Sequence, residues 1–278
     1  MLLREALLVA VLMSVMPSAA AGQQPPAPEP QPERSDPDVL VDPLEPDFAL
    51  FALPTTLRMP SGKWAFRVTH RFTRSLGQGD VGDLASSLFG LDGGAQIGLE
   101  VRVGLRSGTQ AGVHRTSDRS IQLFVQQNFL NERDGSSFGL DAIATLEGGD
   151  NLSEHHQSAI GLLLSKRAGS RAALYAEPLI VLNASPVDAG DDHTVMVGVG
   201  ARVRLTRSTY LLAEYTPRVW GFEPAVDQIT FGFERRTGGH LFQLNVGNGF
   251  GTTMGQLARG GVDYDEWFLG FNLSRKFF

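Results

Sequence analysis

EWFLGFNLSRKFF, residues 266–278, places Trp267, Leu269, Phe271, Leu273 and Phe277 on one face of a strand. Phe268, Gly270, Asn272, Ser274 and Lys276 fall on the other, the period of two that marks an extended, two-faced segment. Only Arg275 interrupts the oily face, near its end, where the long stem lets a guanidinium snorkel. With no helix nearby to cover it, that face needs an apolar solvent, and lipid supplies one. An unpaired strand edge is untenable in hydrocarbon, so a partner strand is required. Residues 63–73, KWAFRVTHRFT, offer it: Trp64, Phe66, Val68, His70 and Phe72 share a face against Lys63, Arg67, Thr69 and Arg71. Laid antiparallel, the two are expected to bring Trp64 to Phe277 at one rim and Trp267 to Phe72 at the other. That makes two aromatic girdles on a closed barrel.

The rest of the chain fits one all-β domain. Its 278 residues are 19% charged and their mean hydropathy is −0.07, as expected where lipid-facing and lumen-facing residues alternate and cancel. Glycine is 32 of 278, well above the roughly 7% of ordinary chains. There is no cysteine, which leaves no disulfide framework, thiol site or lipoprotein anchor. Residues 23–62 carry seven acidic and two basic side chains against a whole-chain net charge of −6, so the body from Lys63 is nearly neutral. A neutral body without a basic patch argues against nucleic-acid binding.

Residues 1–21 read as a secretory signal: Arg4, an apolar run from Ala6 to Met16, and the small residues Ala19, Ala20 and Ala21. Residues 22–62 form a Pro-rich acidic linker and lead-in. Its first part, QQPPAPEPQPERSDPDVLVDPLEP, is expected to be a disordered, partly extended linker. The more apolar DFALFALPTTLRMPSG, residues 47–62, is readable either as a lead-in lying on the rim or as a small plug in the lumen. Residues 63–278 hold twelve alternating runs, most of about the 9–11 residues that a tilted membrane strand needs. Pro178 makes the seventh the weakest, since proline in a sheet belongs at an edge or a bulge. The connections after runs two, six, eight and ten are tight, and those after one, five, seven, nine and eleven are long. Residues 117–119 and 131–137 depart from that rule. Such sorting predicts a transmembrane antiparallel barrel of about 12 strands with short periplasmic turns and long outer loops. An even strand number puts both termini in the periplasm.

KWAFRVTHRF, LFGLDGGAQIGLEVRVGL, TGGHLFQLNVGN and FLGFNLSRKF resemble an uncharacterised family of bacterial outer-membrane β-barrel proteins, a domain of unknown function. The likeness covers roughly residues 61–278. It implies a barrel and an outer-membrane address, and brings no activity, cofactor or catalytic residue.

The outward faces are expected to carry Ile97, Leu99, Val101 and Val103; Val195, Val197, Val199 and Val203; Ile229, Phe231 and Phe233; and Phe242, Leu244 and Val246. The inward faces carry Arg67, Arg71, Glu100, Arg102, Asp141, Arg202, Arg204, Glu214 and Glu234, with many glycines between them. This suggests a polar lumen that is not fully packed. Glu100 is expected diagonally between Arg67 and Arg71, and Glu214 diagonal to Arg202. These charges read either as a constriction selecting solutes or as an ion-pair ladder fixing register. His156 and Ser158 share a strand face, as a base and nucleophile would, but no orienting Asn or Asp and no oxyanion site is marked. A rim histidine is the plainer reading. Asp191, Asp192 and His193 with Glu154, His155 and His156 lack recognisable metal-ligand spacing, and neither metal nor cofactor is expected. With Asp80, Asp83, Asp150, Asp263 and Asp265 they suggest a solvated acidic outer surface bridged by cations to lipopolysaccharide. The expected partners are outer-membrane lipid, lipopolysaccharide and the barrel-assembly machinery, which would read the C-terminal strand. The expected function is a narrow porin-like channel for small solutes, not an enzyme. The alternative is a non-conducting structural or surface-interaction barrel that binds a partner through its outer loops.

Overall fold

Alternation of apolar and polar residues forces one face of each strand toward lipid and the other inward, and closure removes the sheet edges. The computed structural model describes residues 42–86, 93–185 and 192–278. The signal segment 1–21, the linker up to residue 41 and Asp191 lie outside the described residues. The strands are β1 (Trp64–Ser75), β2 (Ala95–Arg106), β3 (Thr109–Thr116), β4 (Ile121–Leu130) and β5 (Gly139–Gly148). They continue with β6 (Glu154–Ala168), β7 (Ala172–Leu182), β8 (Thr194–Arg204) and β9 (Thr209–Thr216). The last are β10 (Arg218–Gly221), β11 (Gln228–Thr237), β12 (His240–Gly247) and β13 (Phe268–Phe277). β10 resumes the line of β9 beyond Pro217 and pairs only with β8. The wall is therefore a closed, antiparallel, twelve-stranded barrel.

The seam pairs β1 with β13, Trp64 opposite Phe277 with rings stacked 3.7 Å apart. At the other rim the expected meeting of Trp267 and Phe72 does not occur. A bulge lets β1 advance four residues, from Arg71 to Ser75, while β13 advances two. The extra residues carry Phe72 out of register. Phe72 is buried against His70 and Phe271, and Trp267 packs edge-on to Phe231. Pro178 sits within the wall, not at an edge or bulge. It faces Val197 of β8 in register, and its missing N–H costs only the β6 contacts between the Gly161–Leu179 and Leu164–Ala176 pairs.

Outside, Leu99, Ile160, Phe233 and Leu244 are 47%, 61%, 55% and 56% exposed. They belong to a continuous apolar band that water would not tolerate. Inside, the lumen is neither wholly polar nor loosely filled. Residues 44–60 are all buried within it. Together they make a hairpin-like finger: Leu50 N–H donates to Leu53 O, Thr55 N–H to Phe48 O, and Ala49 bridges Pro54. The lead-in is the plug. A barrel of about eight strands can be filled by its own side chains; twelve enclose more space, and here a segment of chain occupies it.

Candidate functional site

The finger enters and leaves by the rim of tight turns, with its apex at residues 50–53. Two inward glycines show how closely it is fitted. A Cβ on Gly104 would fall 2.1 Å from Pro60 O, and one on Gly198 would fall 2.7 Å from Leu53 Cδ2. Gly200 likewise makes way for Leu50. The room that these glycines leave is taken by the finger.

The apex is gripped through its main chain. Arg67 donates to Leu50 O at 3.1 Å and to Phe51 O at 2.7 Å. Phe51 O also accepts from Arg71 at 3.3 Å and Asn272 at 3.2 Å. Gln243 donates to Leu50 O, and Arg202 to Ala49 O, each at 3.0 Å. From the opposite wall one oxygen of Glu214 accepts the N–H groups of Phe51, Ala52 and Leu53 at 3.0, 3.0 and 3.2 Å. Successive amides converging on a carboxylate form an anion nest. Hydrogen bonds to a charged group contribute about 1.5–3 kcal/mol.

The arms are held as well. Gln126 donates to Thr55 O and Gln110 to Leu57 O; Ser274 donates to Asp47 and Lys276 to Pro46 O. Thr56 Oγ1 lies 2.5 Å from Ser165 Oγ. Arg58 pairs with Asp134, which sits in the short 3₁₀ helix Glu132–Asp134. This explains why the turn at 131–137 is longer than its neighbours. At the base, Asp42 pairs with Arg167. Glu45 accepts from Thr56, while burial, with the Asp42 carboxylate adding to it, pushes its pKa up to about 7.

The lumen has two halves. On the β5–β9 side, finger residues 50–53 join one apolar cluster with Ile143, Leu163, Leu179, Val181, Met196 and Leu212. Met254, Leu257 and Ala258 join the same cluster from the other mouth. They lie on the helix Met254–Arg259, capped by Thr253 and Gln256 and fixed where Glu147 accepts from Gly255 N–H and Thr253 and Gln122 from Met254 N–H. The remaining half is mainly polar, with a smaller apolar cluster where Phe48, Leu57 and Met59 of the finger meet Ala65 of β1.

The inward charges lie as follows. Arg67, Arg71, Glu100, Arg102, Asp141, Arg202, Glu214 and Glu234 are all buried, whereas Arg204 is half-buried at the tight-turn rim and donates to Ser170 O. Glu100 stands directly opposite Arg67, not diagonally between the two arginines. It pairs with Arg102 at 3.1 Å and lies 3.9 Å from His114, because finger carbonyls have drawn Arg67 away. Glu214 keeps its expected register beside Arg202, but binds the finger, and Arg202 pairs with Glu234 at 3.0 Å. Asn272 is buried on the inward face of β13, where the alternation put it. Sequence reasoning missed Glu177, His114, Gln126 and Gln243, also buried in the lumen; the alternation that places Glu100 inward would have placed these as well.

Among the described residues the outer loops bring together no group of three or more His, Asp or Glu side chains that could hold a metal ion. His156 and Ser158 both face outward, and the His156 ring contacts Leu152 O. Asp192 is buried and accepts from Ser185 N–H.

Residues 47–277 match the family described as "Membrane bound beta barrel domain (DUF5777)". The chain belongs to this family. The DUF5777 match opens at Asp47, so it takes in most of the finger along with the wall. No curated protein matches the chain. Among solved structures, the NanC porin superposes with a TM-score of 0.53 at 10% identity, covering 77% of this chain and 100% of that one. The KdgM porin in complex with disordered oligogalacturonate gives 0.49 at 9% identity, covering 78% and 99%. Outer membrane phospholipase A from Escherichia coli gives 0.42 at 8%, covering 77% and 90%. The NanC likeness is one of fold, and the other two add no argument.

Proposed function

We propose that this DUF5777 barrel is a porin-like outer-membrane channel for small solutes, held shut by its own finger. The observation that supports it is the finger itself: a segment of chain, gripped at its apex through main-chain hydrogen bonds, that fills space a purely structural wall would not need to enclose. The likeness to a porin is an analogy of fold, not of activity. We place the tight-turn rim and both termini in the periplasm. The signal would be residues 1–21, the linker and finger 22–62, and the wall 63–278. The acidic outer loops would meet lipopolysaccharide, and the assembly machinery would read β13. The chain has no cysteine, and the Thr56 and Ser165 hydroxyls already touch, so T56C/S165C gives a clean lock. In planar bilayers the reduced protein is expected to show conductance steps that vanish on oxidation.

The second reading is the non-conducting barrel that presents its outer loops to a partner. It is favoured by the helix Met254–Arg259, which closes part of the opposite mouth. Silence from folded protein in both redox states would replace the channel with this reading.

A further inference from the structure

The apex of the finger is a peptide suspended between walls of opposite charge. On the β1 side Arg67 and Arg71 are 6% and 2% exposed. Among the described residues neither has a carboxylate within ion-pairing distance. Their acceptors are Leu50 O, Phe51 O, His70 O and the Asn272 side chain, and Arg67 Nε is buried with no partner. Across the lumen, Glu177 and Glu214 stand opposite Gly198 and Gly200 of β8 in the ladder. Glu214 holds the three finger amides, whereas Glu177 is 0% exposed with both oxygens unpartnered. Buried guanidiniums answered by neutral carbonyls, and a buried carboxyl answered by nothing, make a half-satisfied site.

We infer that this cross-section binds a zwitterion, a free amino acid or short peptide, when the finger withdraws. The ligand carboxylate lies between Arg67 and Arg71, and its ammonium lies on Glu214 and Glu177. The finger is the internal stand-in: its carbonyl oxygens occupy the carboxylate position and its N–H groups the ammonium position. The apex hydrogen bonds are all to main chain, while the apex side chains lie in the apolar cluster of the β5–β9 side. The polar groups therefore read backbone, and the apolar wall receives small or apolar ligand side chains. A purely anionic solute would meet the glutamates and a purely cationic one the arginines, and both are disfavoured. An approach exists. A cavity of about 530 Å³ opens at the outer rim, lined by Thr73, Ser75, Phe250, Asp265 and Phe268 among others. It lies on the β1–β13 side of the mouth, and Phe268 is two residues along β13 from Gly270, over which Arg71 packs.

The inference rests on the proposed function only in requiring that the finger can leave. The test is calorimetry on the full-length T56C/S165C protein with trialanine, trialanine amide and N-acetyl-trialanine. Reduced protein is expected to bind trialanine at least tenfold more tightly than either blocked peptide, and oxidised protein at least tenfold more weakly. Every ligand displaces the same finger, so ratios between ligands do not depend on how firmly it docks. In Glu214→Gln the advantage of the free ammonium should vanish and that of the carboxylate persist; Arg67→Gln/Arg71→Gln should do the reverse. Equal binding of the three peptides, or undiminished binding after oxidation, overturns the site. Binding by a protein that never conducts retains the site and removes the channel, while conductance without the ligand preference does the opposite.

Discussion

Glu214 shows how much one side chain can decide here. A single carboxylate oxygen takes three consecutive amides, and a charge-assisted set of this kind weakens by about 2 kcal/mol when the charge is removed. Glu214→Gln is therefore expected to speed hydrogen exchange at Phe51, Ala52 and Leu53 by about thirtyfold, read by mass spectrometry, with the wall strands unchanged. Gly104→Ala acts on the returning arm. The new methyl meets the Pro60 carbonyl rather than a yielding side chain, at a cost of about 1–3 kcal/mol for overpacking. Exchange should rise at residues 57–59, and unchanged exchange there would discount the close fit. At this scale the inward positions of Glu214 and Arg202 were legible from alternation alone. What they bind was not. The segment that draws Glu214 from Arg202 and Arg67 from Glu100 follows no period of its own, so strand pairing could not place it.

Among the elements, the finger carries a pH dependence set by Glu45. Its pKa lies near 7 when docked against about 4.3 in an unfolded chain. A raised carboxyl favours the docked state in its neutral form. Its contribution is full below about pH 4.3, is lost as pH rises through about 7, and amounts to about 4 kcal/mol in all. Finger opening measured by hydrogen exchange should thus be more costly at pH 5 than at pH 8, and Glu45→Gln should flatten the difference. The sequence left the finger open between rim and lumen, although one sign was present. Gly104, Gly139, Gly198 and Gly200 all face it, and inward glycine on three different strands signals something bulky opposite. β6 and β7 carried a second sign, with Leu163, Leu179 and Val181 inward while Ile160, Leu162 and Ile180 point outward. Strands apolar on both faces predict that half of the lumen is packed with oil.

For the molecule as a whole, the alternation was decisive. Ile97, Leu99, Val101 and Val103 all face outward, as their spacing requires, and the sorting of short and long links marked the two rims. A basic residue introduced on this band near its midplane costs about 2–4 kcal/mol. Val101→Arg should lower unfolding stability by that amount in phospholipid bilayers, measured by denaturant titration, and much less in detergent micelles that deform around it. An equal loss in both media would argue that Val101 is not in contact with lipid. The bulge between Arg71 and Ser75 escaped prediction because period-2 counting assumes an unbroken ladder.

Both arms of the finger leave through one rim, yet only the Gly62 end continues directly into the wall, where Gly62 N–H donates to Gly104 O. Tension applied at Asp42 would therefore load the attachments in series. The Arg167 contact would yield first, then Lys276 and Ser274, then Arg202, then Arg67 and Glu214 at the apex. The Gln126, Ser165, Gln110 and Asp134 contacts of the returning arm would yield last. Peeled in this order, the bonds fail singly, and a weak pull from below does work that a strong push through the barrel, loading them all at once in shear, could not.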